Sequence, residues 1–315
     1  MAPFIVRRLV GMVLVLFAIS VVTFAIFNVI PNGDPAQRLA GHSTSPQVVE
    51  AVRHQWGFDR PVYVQYAKTM QKIFNGTLVS YSTQTNVLNE IRHDIGRTVS
   101  LAIGAAITWM AVALGLGLYT ALKAGAFADR FLTVLALVGI SMPVFWLGAL
   151  LSYYLGFKAN IFPNGGYTPL AEDPIQWAYH LILPWTALSV LFIGVYSRLL
   201  RSNVLDTINE DFVRTARAKG LSERRVLIRH VLRNSLIPIV TLWGLDFAAI
   251  IGGGAIVTES VFDIGGVGQY AADSISSLDV PPVMALTMFI AFFVVLLNAV
   301  VDILYAWLDP RIRLS

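Results

Sequence analysis

Six stretches of this chain carry almost no charge: Leu9 to Ile30, Thr98 to Leu122, Phe131 to Phe157, Trp177 to Ser197, Ser235 to Thr258 and Val280 to Val301. Each is about 20 residues or slightly longer, the length that crosses roughly 30 Å of hydrocarbon at 1.5 Å per residue. Inside a bilayer the backbone must pair its own polar groups, so runs of this kind form helices. Apolar residues make up 56% of the 315 positions and charged residues only 13%, too little for a soluble globular domain. The fold class expected is an all-α polytopic membrane protein with six transmembrane helices.

Basic residues around the runs set an orientation, because Lys and Arg resist translocation. Arg7 and Arg8 precede the first run, Lys123 and Arg130 lie between the second and third, nine Lys/Arg lie between Arg198 and Arg233, and Arg311 and Arg313 close the chain. These fifteen share one side, against eight on the other, seven of which fall in one long segment. The reading places both termini in the cytoplasm, and the first run as a retained signal anchor rather than a cleaved leader. The net charge of +4 belongs mainly to the inner face, which points to inner-leaflet phospholipid and not to nucleic acid. No Cys is present, excluding disulfides and thiol chemistry.

Outside the first run, Pro31-Asn32-Gly33-Asp34-Pro35 is a turn cluster. Two amphipathic helices are expected after it. One is capped by Ser45 with Pro46 first, carries Val48, Val49, Val52 and Trp56, and stops at Gly57; the other starts at Pro61, carries Tyr63, Tyr66, Met70 and Ile73, and ends near Gly76. Their stripes are expected to pack on the membrane domain. Pro143 should kink the third run. Asp246, a carboxylate inside the fifth run, is a functional group, an acid satisfied by a neighbouring hydroxyl or amide, or an interhelical contact with a partner subunit. Gly252-Gly253-Gly254 permits close backbone approach or a break.

Arg198 to Arg233 reads as a charged helix, a stop at Gly220 and a second charged helix entering the membrane. Gly220 supplies the left-handed position after a helix end, and Ser222 with Glu223 can start the next. Phe212 and Ala216 stand four apart, on one expected face. The chain has no phosphate-cradling Gly-x-x-x-x-Gly-Lys sequence, no dinucleotide fingerprint, and no acid–base, Ser/His/Asp or metal constellation on a common element. No catalytic residue, metal site or cofactor of its own is expected.

These features are joined by a resemblance. Asp211-Phe212-Val213-Arg214-Thr215-Ala216-Arg217-Ala218-Lys219-Gly220-Leu221 is similar almost residue for residue to the cytoplasmic coupling loop of bacterial ABC importer permeases of the peptide/nickel branch. Phe4-Ile5-Val6-Arg7-Arg8-Leu9, Gly57-Phe58-Asp59-Arg60-Pro61, Glu259-Ser260-Val261-Phe262, Gly266-Val267-Gly268, Asp279-Val280-Pro281, and Asp302 to Tyr305 with Leu308 to Arg311 stand in that family's order. Gly265 stands where the branch often has Pro, which loosens the turn. Arg214-Thr215-Ala216 replaces the Glu-Ala-Ala of the general importer motif, a departure the peptide branch shares.

The resemblance implies the type I ABC importer permease fold in a bacterial cytoplasmic membrane. Its parts would be a cytoplasmic N-terminus and first helix (1–30), an extracytoplasmic helical segment (31–97), a core of five helices (98–306) with the coupling hairpin 198–233, and a cytoplasmic tail (307–315). It implies four kinds of partner: a second homologous permease, two ABC ATPase subunits or domains that hold ATP and Mg, an extracytoplasmic substrate-binding protein, and the lipid bilayer. Asp211, Arg214, Thr215, Ala216, Ala218, Lys219, Gly220, Leu221 and Arg225 would then engage the ATPase, with Arg201 outside the contact. Pro143, Asp246, Gly252, Gly253 and Gly254 are the candidates for pathway or helix packing. Di- or oligopeptides are the cargo implied, with nickel chelates or glycosides as alternatives. An ion-coupled secondary transporter using Asp246 is the competing class.

Overall fold

The computed structural model describes residues 2–29, 36 and 45–308. Those residues form helices and connecting turns, with one isolated antiparallel bridge, Val79 to Asn86, and no other strand pairing among them. The Pro31 to Pro35 cluster and the tail after Leu308 lie outside the described residues.

The helices are α1 (Ala2–Phe24), α2 (Pro46–Trp56), α3 (Val62–Phe74), α4 (Val87–Leu122), α5 (Phe127–Ser141), α6 (Val144–Leu151) and α7 (Pro174–Thr207). They continue as α8 (Asp211–Ala218), α9 (Glu223–Val226), α10 (Arg233–Ala249), α11 (Ile256–Val261), α12 (Val267–Ser276) and α13 (Val280–Leu308). Among the described residues five helices are long and apolar enough to cross a bilayer: Arg7–Val29, Val87–Leu122, Pro174–Thr207, Glu223–Gly254 and Val280–Val300. The third apolar run forms no straight helix. It is α5 and the Val144–Lys158 helix, bent by 101° at Ser141 to Val144, and it makes a sixth span if the pair is counted as one. Pro143 lacks the amide an unbroken helix needs there and instead stands at the N-cap of α6 with φ −61° and ψ 133°. The kink read from Pro143 is therefore a full change of direction.

Helix α4 begins at Val87, so the boundary at 97 falls inside it. Its 36 residues exceed what a bilayer core needs, and its first turns project beyond the apolar run. The side chain of Asn86 starts it by accepting from the Asn89 amide at 3.1 Å, and Asp173 starts α7 by accepting from Ile175 and Gln176 at 2.9 and 3.0 Å. Ser45 and Ser222 occupy the N-cap positions expected of them, but neither side chain makes a capping bond.

Helices α4 and α7 form the most extensive pair. Small residues bring them together, as membrane helices require when no water drives association. A Cβ added to Gly104 would sit 1.9 Å from Trp185, and one on Gly117 would sit 2.7 Å from the Ser197 carbonyl. Trp185 Nε1 donates to the Ser100 carbonyl at 3.1 Å, and Ser189 Oγ to that of Ala105 at the same distance. On the other side of α7, Gly194 faces the Ala136 carbonyl of α5 at 2.7 Å by the same measure.

The outer helices differ in how well they pack. Met70 of α3 is buried with Phe24 and Met284, with Tyr66 and Ile73 beside it, so this stripe covers α1 and α13 as expected. Tyr63 is 74% exposed and does not join it. Val48 of α2 is likewise exposed, and Val49 and Val52 are only half-buried. Gly57 ends α2 in the left-handed conformation at φ 75°.

Candidate functional site

The chain between α7 and α10 forms a helical hairpin. Helix α8 ends at Ala218, and Gly220 follows at φ 77°. The Gly220 amide donates to the Arg217 carbonyl at 2.9 Å and the Leu221 amide to that of Ala216 at 3.4 Å, the paired bonds that close a helix through a left-handed glycine. The next helical span runs from Glu223 to Gly254, first through a wider π turn at Leu227–Leu232, and stays helical up to the glycines near its end. Arg217 then bridges the turn, its Nε and Nη2 donating to the Glu223 carboxylate at 2.9 and 3.3 Å. This clamp was not read from the sequence, although the i to i+6 spacing across a glycine stop is its signal.

The hairpin is anchored. Val213, Ala216, Val226 and Val231 are buried in the same apolar cluster as Leu200 and Val204 of α7 and the membrane helices beyond. At its base Asn203 Nδ2 donates to the Ser235 carbonyl at 3.3 Å, and Ser235 Oγ to the Asn203 carbonyl at 3.2 Å. The sequence placed Phe212 and Ala216 on one face; in the structure they divide. Ala216 turns inward and is 5% exposed, whereas Phe212 is 43% exposed at the surface. The inward stripe is Val213 and Ala216, three apart, so Ala216 holds the hairpin to its own chain and cannot present itself to a partner. Asp211, Arg214, Thr215, Ala218, Lys219, Gly220 and Arg225 are exposed, and Leu221 is half-buried. The outer surface thus carries the Phe212 ring, Ala218, Thr215, a glycine, the Asp211 carboxylate and several cations.

Arg201 is not a bystander. Its Nε and Nη2 donate to Asp129 at 2.7 and 2.8 Å, and Asp129 also accepts from the Gly125 amide at 2.9 Å. Asp129 is only 3% exposed, so the pair ties the first turn of α5 to α7 just before the hairpin. Sequence distance hid it, since 72 residues separate the partners.

Asp246 of α10 accepts from the Tyr196 hydroxyl of α7 at 2.5 Å. Tyr196 is 1% exposed and lies beside Trp109 and Phe192. The acid is therefore satisfied by a neighbouring hydroxyl, the structural alternative weighed for it. Further along, Gly252 (φ −76°, ψ 17°) and Gly253 (φ 118°, ψ −9°) leave helical geometry and break the helix before α11. Gly253 needs glycine for its conformation. Gly252 needs it for space, because a Cβ there would lie 2.1 Å from Val294 of α13.

Beyond the break stands a buried acid that sequence reading placed only within a motif. Glu259 of α11 is fully buried, and its Oε2 accepts from the Gln269 amide at 2.9 Å. Its Oε1 is buried and makes no hydrogen bond, while nearby Thr98 Oγ1 accepts from the Val267 amide at 2.9 Å. Burial pushes the Glu259 carboxyl above the ordinary carboxylate range, and the neighbouring Thr98 hydroxyl and Gln269 and Gly268 amides oppose the rise. The Gly265 turn is pinned, not loose. Its amide donates to Gln269 Oε1 at 2.8 Å and its carbonyl accepts from Arg97 at 2.9 Å, at a φ of 71° that proline cannot adopt.

Residues 113–314 match the family described as the binding-protein-dependent transport system inner membrane component, and residues 1–102 match the N-terminal part described for the same components. The chain is 36% identical to a probable D,D-dipeptide transport system permease protein of Escherichia coli over 97% of this chain and 96% of that one. It is 34% identical to a probable peptide ABC transporter permease of Sinorhizobium fredii, over 99% and 100%. A glutathione transport system permease of Escherichia coli is 35% identical over 99% of both. Those matches displace the secondary transporter as a class, in keeping with an Asp246 paired to a neutral hydroxyl. The chain therefore belongs to the binding-protein-dependent transport family, as a multi-pass inner-membrane permease subunit of an ABC importer and not an enzyme.

Proposed function

We propose that this subunit forms half of the translocation pathway for di- or oligopeptides, pairs with a second homologous permease, and is driven through its hairpin by two cytoplasmic ATPases that hold the ATP and Mg. An extracytoplasmic binding protein delivers the cargo, with residues 31–97 on its side of the membrane and both termini on the other. One observation supports the coupling role above all: the hairpin's buried face is continuous with the core of α7 and the membrane helices. A surface helix held only by anionic lipid would need no such anchorage, no glycine stop and no clamp from Arg217 to Glu223.

Mechanically, force on the hairpin has two outlets. One is the Glu223–Gly254 span, 32 residues or roughly 48 Å, helical up to the Gly252–Gly253 break near its end. The other is α7, tied by Arg201 to α5 and hence to the bend at Pro143. Rigid elements meeting at two breaks suit a hinge movement between two states. On the outer surface Phe212 supplies apolar contact at the start of α8 and Ala218 near Gly220, and Arg214, Lys219 and Arg225 supply charge for acidic groups on the ATPase. Peptide cargo rests on the relatives' names; nickel chelates or glycosides fit the same machinery, since the binding protein selects.

The test is uptake into proteoliposomes holding this subunit with its partner permease, both ATPases and the binding protein. ATP-dependent accumulation of a labelled dipeptide is the expected result, and accumulation of a nickel chelate but no peptide would refute the cargo. For orientation, an impermeant thiol reagent on intact cells should label a Cys at Ser82 and spare one at Ser222. The reverse pattern would invert the topology.

A further inference from the structure

Helix α12 begins with three amides that have no intrahelical acceptor, those of Val267, Gly268 and Gln269, and two of them are taken by groups from other elements. Thr98 of α4 takes the first and Glu259 of α11 the third, with the other Glu259 oxygen buried and unbonded. The contact is close: a Cβ on Gly266 would lie 2.5 Å from the Glu259 carboxylate and one on Gly268 2.8 Å from it. A carboxylate at the positive end of a helix, shielded from water, makes charge-assisted bonds of the stronger kind. Arg97 to Gly265 and Gln269 to Gly265 and Asp263 close the same cluster. The outer part of α4, with α11 and α12, is thereby stitched into one unit. Immediately beside it, Gly253, Thr98 and Glu259 line a void of about 10 Å³ together with Phe289 of α13, so the unit adjoins the glycine break across a small void.

We propose that Glu259 is a positioning residue for transport: it locks α11, α12 and the outer end of α4 into one rigid body, which swings about the Gly252–Gly253 break when the hairpin moves the Glu223–Gly254 helix. The inference rests on the coupling role given to the hairpin above. It assigns Glu259 no contact with cargo and no proton transfer. Without the carboxylate, α12 would lose one of its two caps and the group packed against its first turn, and movement of the long helix would be spent in loosening the body instead of turning it.

The assembled transporter supplies the test, because this natively Cys-free chain accepts spin labels at chosen sites. One label pair, at Asn89 and Ser276, reports the inside of the rigid body; a second, at Ser222 and Ser276, reports the body against the hairpin. Between nucleotide-free and ATP-trapped states the first distance should stay fixed and the second should change. In Glu259→Leu the first distribution should broaden and uptake should fall about tenfold or more, the scale set by losing charge-assisted bonds, while the ATPases still co-purify. Glu259→Gln keeps an oxygen for the Gln269 amide, so a narrow distribution and uptake within about threefold of wild type are expected.

Wild-type uptake with a narrow distribution in Glu259→Leu would overturn the proposal. So would loss of uptake in Glu259→Gln with the distances intact, which would make the acid a proton carrier. Should Glu259→Leu fail to reach the membrane, the parent's first pair and Glu259→Gln still decide. A second pair that never changes would refute the hairpin reading instead, and the first pair tells the two failures apart.

Discussion

Replacing Gly220 separates the two things a glycine can contribute at the hairpin tip, a left-handed backbone and an empty surface. A Cβ at this position meets nothing within 4 Å, so the cost inside the chain is the positive φ alone, about 1 to 2 kcal/mol for an ordinary residue. Opposing it are the buried Val213 and Val226, at about 1.5 kcal/mol or more apiece, and the exposed Arg217–Glu223 pair, at no more than about 1 kcal/mol. The hairpin should therefore stay folded in Gly220→Leu, and membrane abundance should match wild type. Uptake should nonetheless fall about tenfold or more, since leucine projects where the ATPase must sit and 1.4 kcal/mol of lost docking already amounts to tenfold. Gly220→Asn is the control, because Asn visits the left-handed region readily and is smaller. It should keep uptake within about threefold of wild type by the same scale. The assay is proteoliposome uptake with ATPase co-purification. Equal loss in both variants would show that any side chain at this position, not leucine's bulk, is what blocks coupling, and no loss in either would remove the hairpin from coupling.

Other substitutions probe the remaining joints. Gly253→Ala forces a side chain into φ 118°, a conformation costing about 1 to 3 kcal/mol, and should lower uptake while the ATPases remain bound; unchanged uptake would mean the break does not move. Arg201→Ala leaves the buried Asp129 with only part of its bonding, so thermal stability in detergent should drop by about 2 kcal/mol, and the double exchange Asp129→Arg with Arg201→Asp should recover part of it. A wild-type melting profile for Arg201→Ala would show that the pair is dispensable. Gly104→Ala drives a methyl against Trp185 and should reduce membrane abundance severalfold, measured by immunoblot; normal abundance would mean that α4 and α7 can part at little cost.

Much of the fold was legible because the bilayer imposes a length and an apolar character that composition along the chain displays directly. Pro143 announced a kink, but a proline fixes only the missing amide and the steric block; whether the chain then bends slightly or turns by 101° depends on what α5 and α6 pack against. The hairpin's stop was legible in Gly220 for a similarly local reason. Which residues of α8 face inward was not. Helix α8 has eight residues, scarcely two turns, and a stripe so short is compatible with either Phe212 or Val213 pairing with Ala216. Pairings across long separations were hidden too, so Arg201 looked like an uninvolved surface cation and Asp246 had no visible partner. Glu259 could have been flagged by one signal: an acid in an apolar stretch, followed by glycines at the start of another helix, is placed to cap that helix.

Contact between the hairpin and the ATPase is the central claim, and cross-linking measures it most directly. With a single Cys at Ala218 in this otherwise Cys-free chain, and a short bifunctional thiol reagent applied to the assembled transporter carrying cysteines on the ATPase surface, the account predicts a permease–ATPase adduct whose formation stops uptake. A Cys at Ser82 should give none. Absence of an adduct from Ala218, with the ATPases demonstrably bound and uptake intact, would contradict it.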